Sequence, residues 1–462
     1  MDEDSVLKAI FFQTNEMKQV FESYPELLFI DATYKLNDLQ MPLYVLMVVD
    51  GNGESEVICL WLTQIEDKET ITELVKEFKK QNVRWSSTKC IMSDKDMTER
   101  DVLSKEIPHS KLLICLFHTL RSMRREVSCE KLGISTGERS MSLEILSKMV
   151  YARSEEEYGE LYENLKNTPR NVIEYYYFDK NWHTIRHQWV DGLKNAFCNF
   201  MNRTNNRVES INQKLKSVIT RYSGVTQFFQ DLMKCLTTLK VERDHRALEI
   251  TMKRRVSNFS EDSAFGQYMS LLTPYAFEYV KTQLEQSKKV KNTDLENNID
   301  EESCSIKYNG KTIICSIHTC SCGFVSAMQL PCKHIFAVRQ WKSLSEYDEI
   351  LCADRWKLWH FTSNHRAYCT KSQDNFNSSS DSIIEVSQHV SGMFYLNSRS
   401  IERHLKWPRH CHSNFLLLVC VTSMREWRFF NLFLLYGRKR RRSLLKKLQV
   451  FNYSSNYCSS KS

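Results

Sequence analysis

The run Leu27-Leu28-Phe29-Ile30-Asp31 decides how this chain is read: four consecutive apolar residues ending on a carboxylate fit a buried strand. Working outward, Pro42 to Asp50 (PLYVLMVVD) and Val57 to Gln64 (VICLWLTQ) read as second and third strands. Asp50-Gly51-Asn52-Gly53 between them is a hairpin signal. Asp67 to Asn82 is amphipathic at helical spacing, with Ile71, Leu74, Val75 and Phe78 on one face. A fourth strand, Thr88 to Ser93, runs into Asp94. A short helix (Thr98 to Glu106) and a fifth strand (Lys111 to Leu116) follow. The order is strand-strand-strand-helix-strand-helix-strand.

The 462 residues leave room for two to four domains. Only 12 Gly and 7 Pro argue against collagenous, low-complexity or propeller-like chains and favour helix. The net charge of +8 is misleading as a guide to function. The last 62 residues hold thirteen Lys/Arg against two Asp/Glu, and the first 400 carry a net −3. Basicity therefore belongs to the tail, and nucleic-acid binding by the body has to be argued from sites. The start, MDEDSVLKAI, lacks the basic and apolar regions of a secretory signal. Sixteen cysteines in an intracellular setting read as thiols or metal ligands.

The strongest chemical signal is Cys320-x-Cys322-x9-Cys332-x-His334. Zinc takes four tetrahedral N/S ligands, and two closely spaced pairs joined by a loop supply them with no open position, as in structural sites. The pairs follow a hairpin marked by Asn309-Gly310 and meet a helix beginning near His334. Cys304 and Cys315 read as hairpin residues outside the ligand set. This pattern resembles the SWIM zinc finger, which implies a small ββα-like zinc module that binds nucleic acid or protein.

A second constellation is acidic. Strands ending at Asp31 and Asp94, if parallel neighbours about 4.8 Å apart, bring two carboxylates together. Glu209, on a helix from Asn206 to Ile219, lies in line with Asn212 and Lys216 and opposite the Ile211/Leu215 stripe. Three such acids suit two-metal phosphodiester chemistry with Mg²⁺ or Mn²⁺. Blander readings stand beside this one. Asp31 and Asp94 fit strand-end turns, Asp96 could replace Asp94, and Asn206-x-x-Glu209 fits a capping box. Cys115 and His118 fit either half a metal site or plain packing. Around Glu209, residues 181–222 carry seven Lys/Arg against two acids, a phosphate track or a solvated face.

The strand order, an insertion and a Glu-bearing helix together make an α/β, RNase H-like arrangement. Ile30-Asp31-Ala32-Thr33-Tyr34, Ser93-Asp94-Lys95-Asp96, Cys115-Leu116-Phe117-His118 and Asn205-Asn206-Arg207-Val208-Glu209-Ser210 resemble stretches of Mutator-like transposases. In that family a transposase core often precedes a SWIM finger. The resemblance implies catalytic roles for Asp31, Asp94 and Glu209. It also implies zinc at Cys320, Cys322, Cys332 and His334, and DNA as partner. The family's N-terminal DNA-binding zinc domain has no counterpart in the thirty residues before Asp31.

The expected organisation is a core over 10–222 with a helical insertion at about 119–200. A helical segment (223–300), a SWIM-type finger (303–340) and an irregular tail (366–462) follow. Phe415 to Tyr436 is apolar, but Arg425, Glu426 and Arg428 at its centre would cost on the order of 8–10 kcal/mol in a bilayer, so no membrane span is expected. Arg438-Lys439-Arg440-Arg441-Arg442 resembles a nuclear localisation signal. The function expected is a domesticated, nuclear, transposase-like nucleic-acid-binding protein with a latent cleavage and strand-transfer site. The alternative is a catalytically silent scaffold whose zinc module binds protein.

Overall fold

The computed structural model describes residues 6–167, 178–252, 259–291, 295–297, 303–308, 311–368, 394–396, 414–421 and 430–436. The main sheet begins earlier than the sequence suggested, with β1 (Val6–Thr14) and helix α1 (Asn15–Ser23). The antiparallel meander β2 (Leu27–Thr33), β3 (Leu43–Val49) and β4 (Ser55–Thr63) follows. Asp50 builds the turn between β3 and β4, its Oδ1 accepting from the backbone N–H of Asn52 (2.9 Å) and Glu54 (2.8 Å). Gly53 takes φ +77° there, with the Tyr275 ring lying where a Cβ would project. Then come α2 (Lys68–Gln81), β5 (Cys90–Ser93), α3 (Met97–Glu106) and β6 (Lys111–Ile114). β5 runs parallel to β2, and β6 parallel to β5. The resulting order β1-β4-β3-β2-β5-β6 is a mixed sheet of the RNase H-like kind.

Strand alternation sorts the side chains between two covered faces. Leu28, Ile30, Leu46 and Val48 meet Leu74 and Phe78 of α2 and Leu103 of α3. Phe29, Val45 and Met47 point to the other side, which helices from far along the chain cover. Before those helices, α4 (Leu116–Glu126), α5 (Cys129–Leu132), α6 (Thr136–Val150), α7 (Glu155–Lys166) and α8 (Asp191–Lys194) form an excursion. It has its own core around Met123, Leu146, Tyr158, Trp182 and Trp189. The chain returns as α9 (Asn206–Val218) and α10 (Val225–Met252), whose Val208, Ile211, Leu215, Phe228 and Leu232 close the second face.

α11 (Ala264–Leu271) and α12 (Pro274–Ser287) lead to a small antiparallel sheet of β7 (Leu295–Asn297), β8 (Ser303–Tyr308) and β9 (Lys311–Ser316). Tyr308 pairs with Lys311 across the expected hairpin turn, whose Asn309 and Gly310 lie outside the described residues. Helices α13 (Gly323–Met328) and α14 (Lys333–Trp341) complete the unit. It thus carries a strand and a helix more than the expected ββα pattern. Cys304, Ile306, Cys315, Ile335 and Val338 form its own small core, yet Met328, Leu330 and Phe336 join the cluster beneath the main sheet.

Trp356, fully buried just before α15 (Leu358–Asn364), shares the cluster beneath the main sheet with Met328 and donates from Nε1 to the Met328 carbonyl at 2.6 Å. Trp356→Phe keeps an aromatic ring but orphans that carbonyl, so a loss of about 1–3 kcal/mol is expected. Denaturant unfolding measures it, and an unchanged midpoint would show that the bond contributes nothing.

The tail corrects an expectation. β10 (Phe394–Leu396), β11 (Asn414–Val421) and β12 (Phe430–Tyr436) are strands. β11 pairs in parallel with β1, β12 pairs with β11, and β10 with β12, so the sheet reaches nine strands. These stretches are therefore not irregular: β11 meets β1 across some 400 residues of sequence, a pairing no local window contains, while β12 and β10 pair within the tail itself. Among the described residues no helix is long and apolar enough to cross a membrane. The Ser/Asn-rich linker and the basic run 438–442 lie outside the described residues.

Candidate metal and carboxylate centres

The four cysteine/histidine positions converge. Ligand atoms of Cys320, Cys322, Cys332 and His334 all lie within 4.8 Å of one another. The local chain explains how. Cys320 follows β9 directly and bridges back to Cys315, while Cys322 is the N-cap of α13 and Cys332 that of α14. Neither N-cap cysteine uses its side chain to cap. Their sulfurs sit instead beside the first turns of two helices, free to meet the other donors. His334 turns Nδ1 toward the sulfurs, 3.7 Å from both Cys320 and Cys332. Donation from Cys320 and Cys332 holds the Cys322 thiol well below its usual range. Burial pushes Cys332 up. Three sulfurs and one imidazole nitrogen are the donor set of a closed zinc site, and the residues fit that ion. Cys304 and Cys315 face each other across β8 and β9, outside the set.

The acids also meet, through the fold. Parallel register from Leu27↔Cys90 to Phe29↔Met92 sets the carboxyl ends of β2 and β5 side by side. By alternation Asp31 shares the face of Phe29, toward α9. Asn212 of α9 donates from Nδ2 to Asp31 Oδ2 at 2.7 Å. One turn earlier, Glu209 Oε1 lies 3.4 Å from His118 Nε2, and His118 Nδ1 pairs with Asp94 Oδ1. His118 therefore joins two of the three acids, and Asn212 holds the third.

Two blander readings can be checked locally. Asp96 accepts from the Glu99 N–H at 2.8 Å as N-cap of α3, which employs its carboxylate elsewhere. The N-cap of α9 is Asn205, which makes no side-chain cap bond, so Glu209 belongs to no capping box.

The electrostatics follow the crowding. Burial, then the Asp94 charge, pushes Asp31 up to about 7, with Glu209 adding to the rise and His118 opposing it. For His118, burial works against the charged form, but its bonds to Asp94 and Cys115 outweigh it and raise the ring to about 10. Glu209→Gln should therefore lower the Asp31 pKa below about 7 by removing a repelling charge. An NMR titration of the Asp31 carboxyl checks this, and an unmoved midpoint would place Glu209 outside the cluster.

The basic patch around Glu209 dissolves in the fold. Lys194 is fully buried and donates to the carbonyls of Ile114 and Arg203, both at 3.1 Å. Arg186 pairs with Glu155, Arg203 with Asp191, and Lys214 with Glu242. Arg207 donates to the Gly53 carbonyl. Five of the seven cations thus serve the fold, which a count of charges cannot reveal. In the sequence alone His118 has no link to the acids and Asn212 no partner, though Asn212 stands in line with Glu209. The spacing Cys115-x-x-His118 was the available signal for the first, and the polar line of α9 for the second.

Residues 1–113, spanning β1 to β6, match the family model described as zinc finger SWIM domain-containing protein 1/3, RNaseH-like domain. The matched residues make up about a quarter of the chain and do not reach the Cys/His cluster further along. An alignment 240 positions long, covering 46% of the chain, is 25% identical to a PKS-NRPS hybrid synthetase, cheA, of Chaetomium globosum. The match spans only 5% of that protein's length.

Proposed function

We propose that this chain is a zinc-binding, SWIM-type, nucleic-acid-binding protein derived from a Mutator-like transposase. In this reading Cys320, Cys322, Cys332 and His334 hold a structural zinc, and DNA runs past the corner where β2, β5 and α9 meet. The observation that carries the reading is the convergence there of Asp31, Asp94 and Glu209 from three distant parts of an RNase H-like fold. Arg121 and Arg124 are exposed on the helix that bears His118 and in this reading would meet phosphates. Nuclear location follows from the basic run at 438–442, and protein partners from the zinc unit.

The carboxylates suit Mg²⁺ or Mn²⁺ in donor type, and Asp31, Asp94 and Glu209 would hold them. Such ions activate water and stabilise charge at phosphorus. Within the chain's own residues, Asn212 orients Asp31 while His118 keeps Asp94 and Glu209 apart from solvent cations. That clasp makes the site latent.

It also favours the second reading, a silent scaffold, in which His118 replaces the ions for good. A supercoiled plasmid incubated with full-length protein and Mn²⁺ distinguishes the two. Nicking that Asp31→Asn abolishes supports the latent nuclease. Neither nicking nor DNA binding at any pH supports the scaffold, whose zinc unit would bind protein instead.

A further inference from the structure

The side chains around His118 outline a second metal centre of a different chemical class. We propose that Cys115, His118 and Glu209 form a three-ligand site for a thiophilic divalent ion such as Zn²⁺, with Asp94 orienting the histidine. One ligand atom from each of the three residues lies within 4.8 Å of the other two. Cys115 is the N-cap of α4 and His118 stands three residues later, so both project from the first turn of one helix. Glu209 comes from the first turn of α9.

The sulfur is prepared as an acceptor. Cys115 is fully buried, makes no side-chain cap bond to its own helix, and its Sγ instead accepts the Asn205 backbone N–H at 3.1 Å. The buried Lys194 ammonium is anchored on the carbonyl of Ile114, the residue just before it.

The histidine is arranged as metal-bound histidines are. Its Nδ1 is paired to the Asp94 carboxylate, which leaves Nε2 facing Glu209. A carboxylate on the far nitrogen fixes the tautomer and raises the basicity of the ligating one. A thiolate in the set selects zinc over magnesium, and three protein ligands leave a fourth position for water or a ligand. The inference does not rest on the nuclease reading, since a chain that never cuts DNA can hold this ion. It assigns Asp94 and Glu209 to an imidazole and a soft ion, where the two-metal reading gives them to Mg²⁺.

The test uses the full chain, purified with zinc and counted by elemental analysis. Two zinc ions per chain are expected. Cys115→Ser and Glu209→Ala should each leave one, whereas Cys332→Ser should remove the other independently. Glu209→Ala guards against misfolding of the buried Cys115 variant, because Glu209 is part-exposed. Excess Mg²⁺ should displace neither ion. One zinc in the wild type, lost with Cys332→Ser and untouched by Glu209→Ala, would overturn the proposal. So would displacement of the second ion by Mg²⁺.

Discussion

Stripping zinc from the full-length chain with a strong chelator, or replacing Cys332 by serine, should unfold residues 295–341 and lower the melting temperature of the whole protein. The unit's own apolar core is small: the few buried residues around Cys304, Ile306, Cys315, Ile335 and Val338, under three short strands. A core of that size cannot offset the chain entropy of some forty residues. In zinc-held modules the metal supplies about 10–16 kcal/mol, and its loss is loss of the fold. The effect should spread, because Met328, Leu330 and Phe336 from this unit pack into the cluster under the main sheet. Their release would expose the face that α9 and α10 also cover. Calorimetry should therefore show one transition that moves down with chelator, together with lost ellipticity. A melting curve indifferent to chelator and to Cys332→Ser would refute a structural zinc here.

The strands from Leu27 to Ile114 were legible because both faces of the sheet are covered. A doubly covered strand reads as an unbroken apolar run, and β3 is buried at every position. In β1 the apolar run is only four residues, Ala9 to Phe12, and its partner β4 lies some fifty residues on, so no local pattern marks it. The zinc ligands were legible because all four lie within fifteen residues, where spacing alone carries the geometry. The carboxylate corner was legible only in part. Asp31 and Asp94 followed from strand ends, and Glu209 from the polar line of its helix. The bond from His118 to Asp94 and Glu209 joins three segments that only the folded sheet brings together. The same holds for the cations near Glu209. Burial of Lys194 and the ion pairs of its neighbours depend on partners such as Glu155 and Glu242, which no local window contains.

Asp31→Asn should make the metal-free protein more stable above neutral pH and change nothing near pH 4. In the fold, burial and then Asp94 raise the Asp31 carboxyl from 3.8 to about 7. The folded state thus binds this proton more tightly than the unfolded chain does. The associated stability is complete below the unfolded value near pH 4 and is lost as pH rises through 7. At 1.36 kcal/mol per pH unit of difference, the loss approaches about 4 kcal/mol at pH 8. Asparagine removes that fall while its carbonyl still accepts from Asn212. His118 acts in a higher window. Burial opposes its charge, but Asp94 holds the ring protonated to about 10, so its contribution is complete below about 6.5 and fades as pH rises through 10. The wild type should therefore weaken in two stages on going alkaline, and the variant in the second stage alone. Divalent metal sharpens the contrast. An ion bound among the acids offsets their mutual repulsion, so Mn²⁺ should raise the wild-type melting temperature at pH 8 by mass action. The gain should be smaller for Asp31→Asn, which has lost one donor charge and needs less relief. Superimposable pH–stability curves for the two proteins would detach Asp31 from Asp94, His118 and Glu209, and with it the shared carboxylate site.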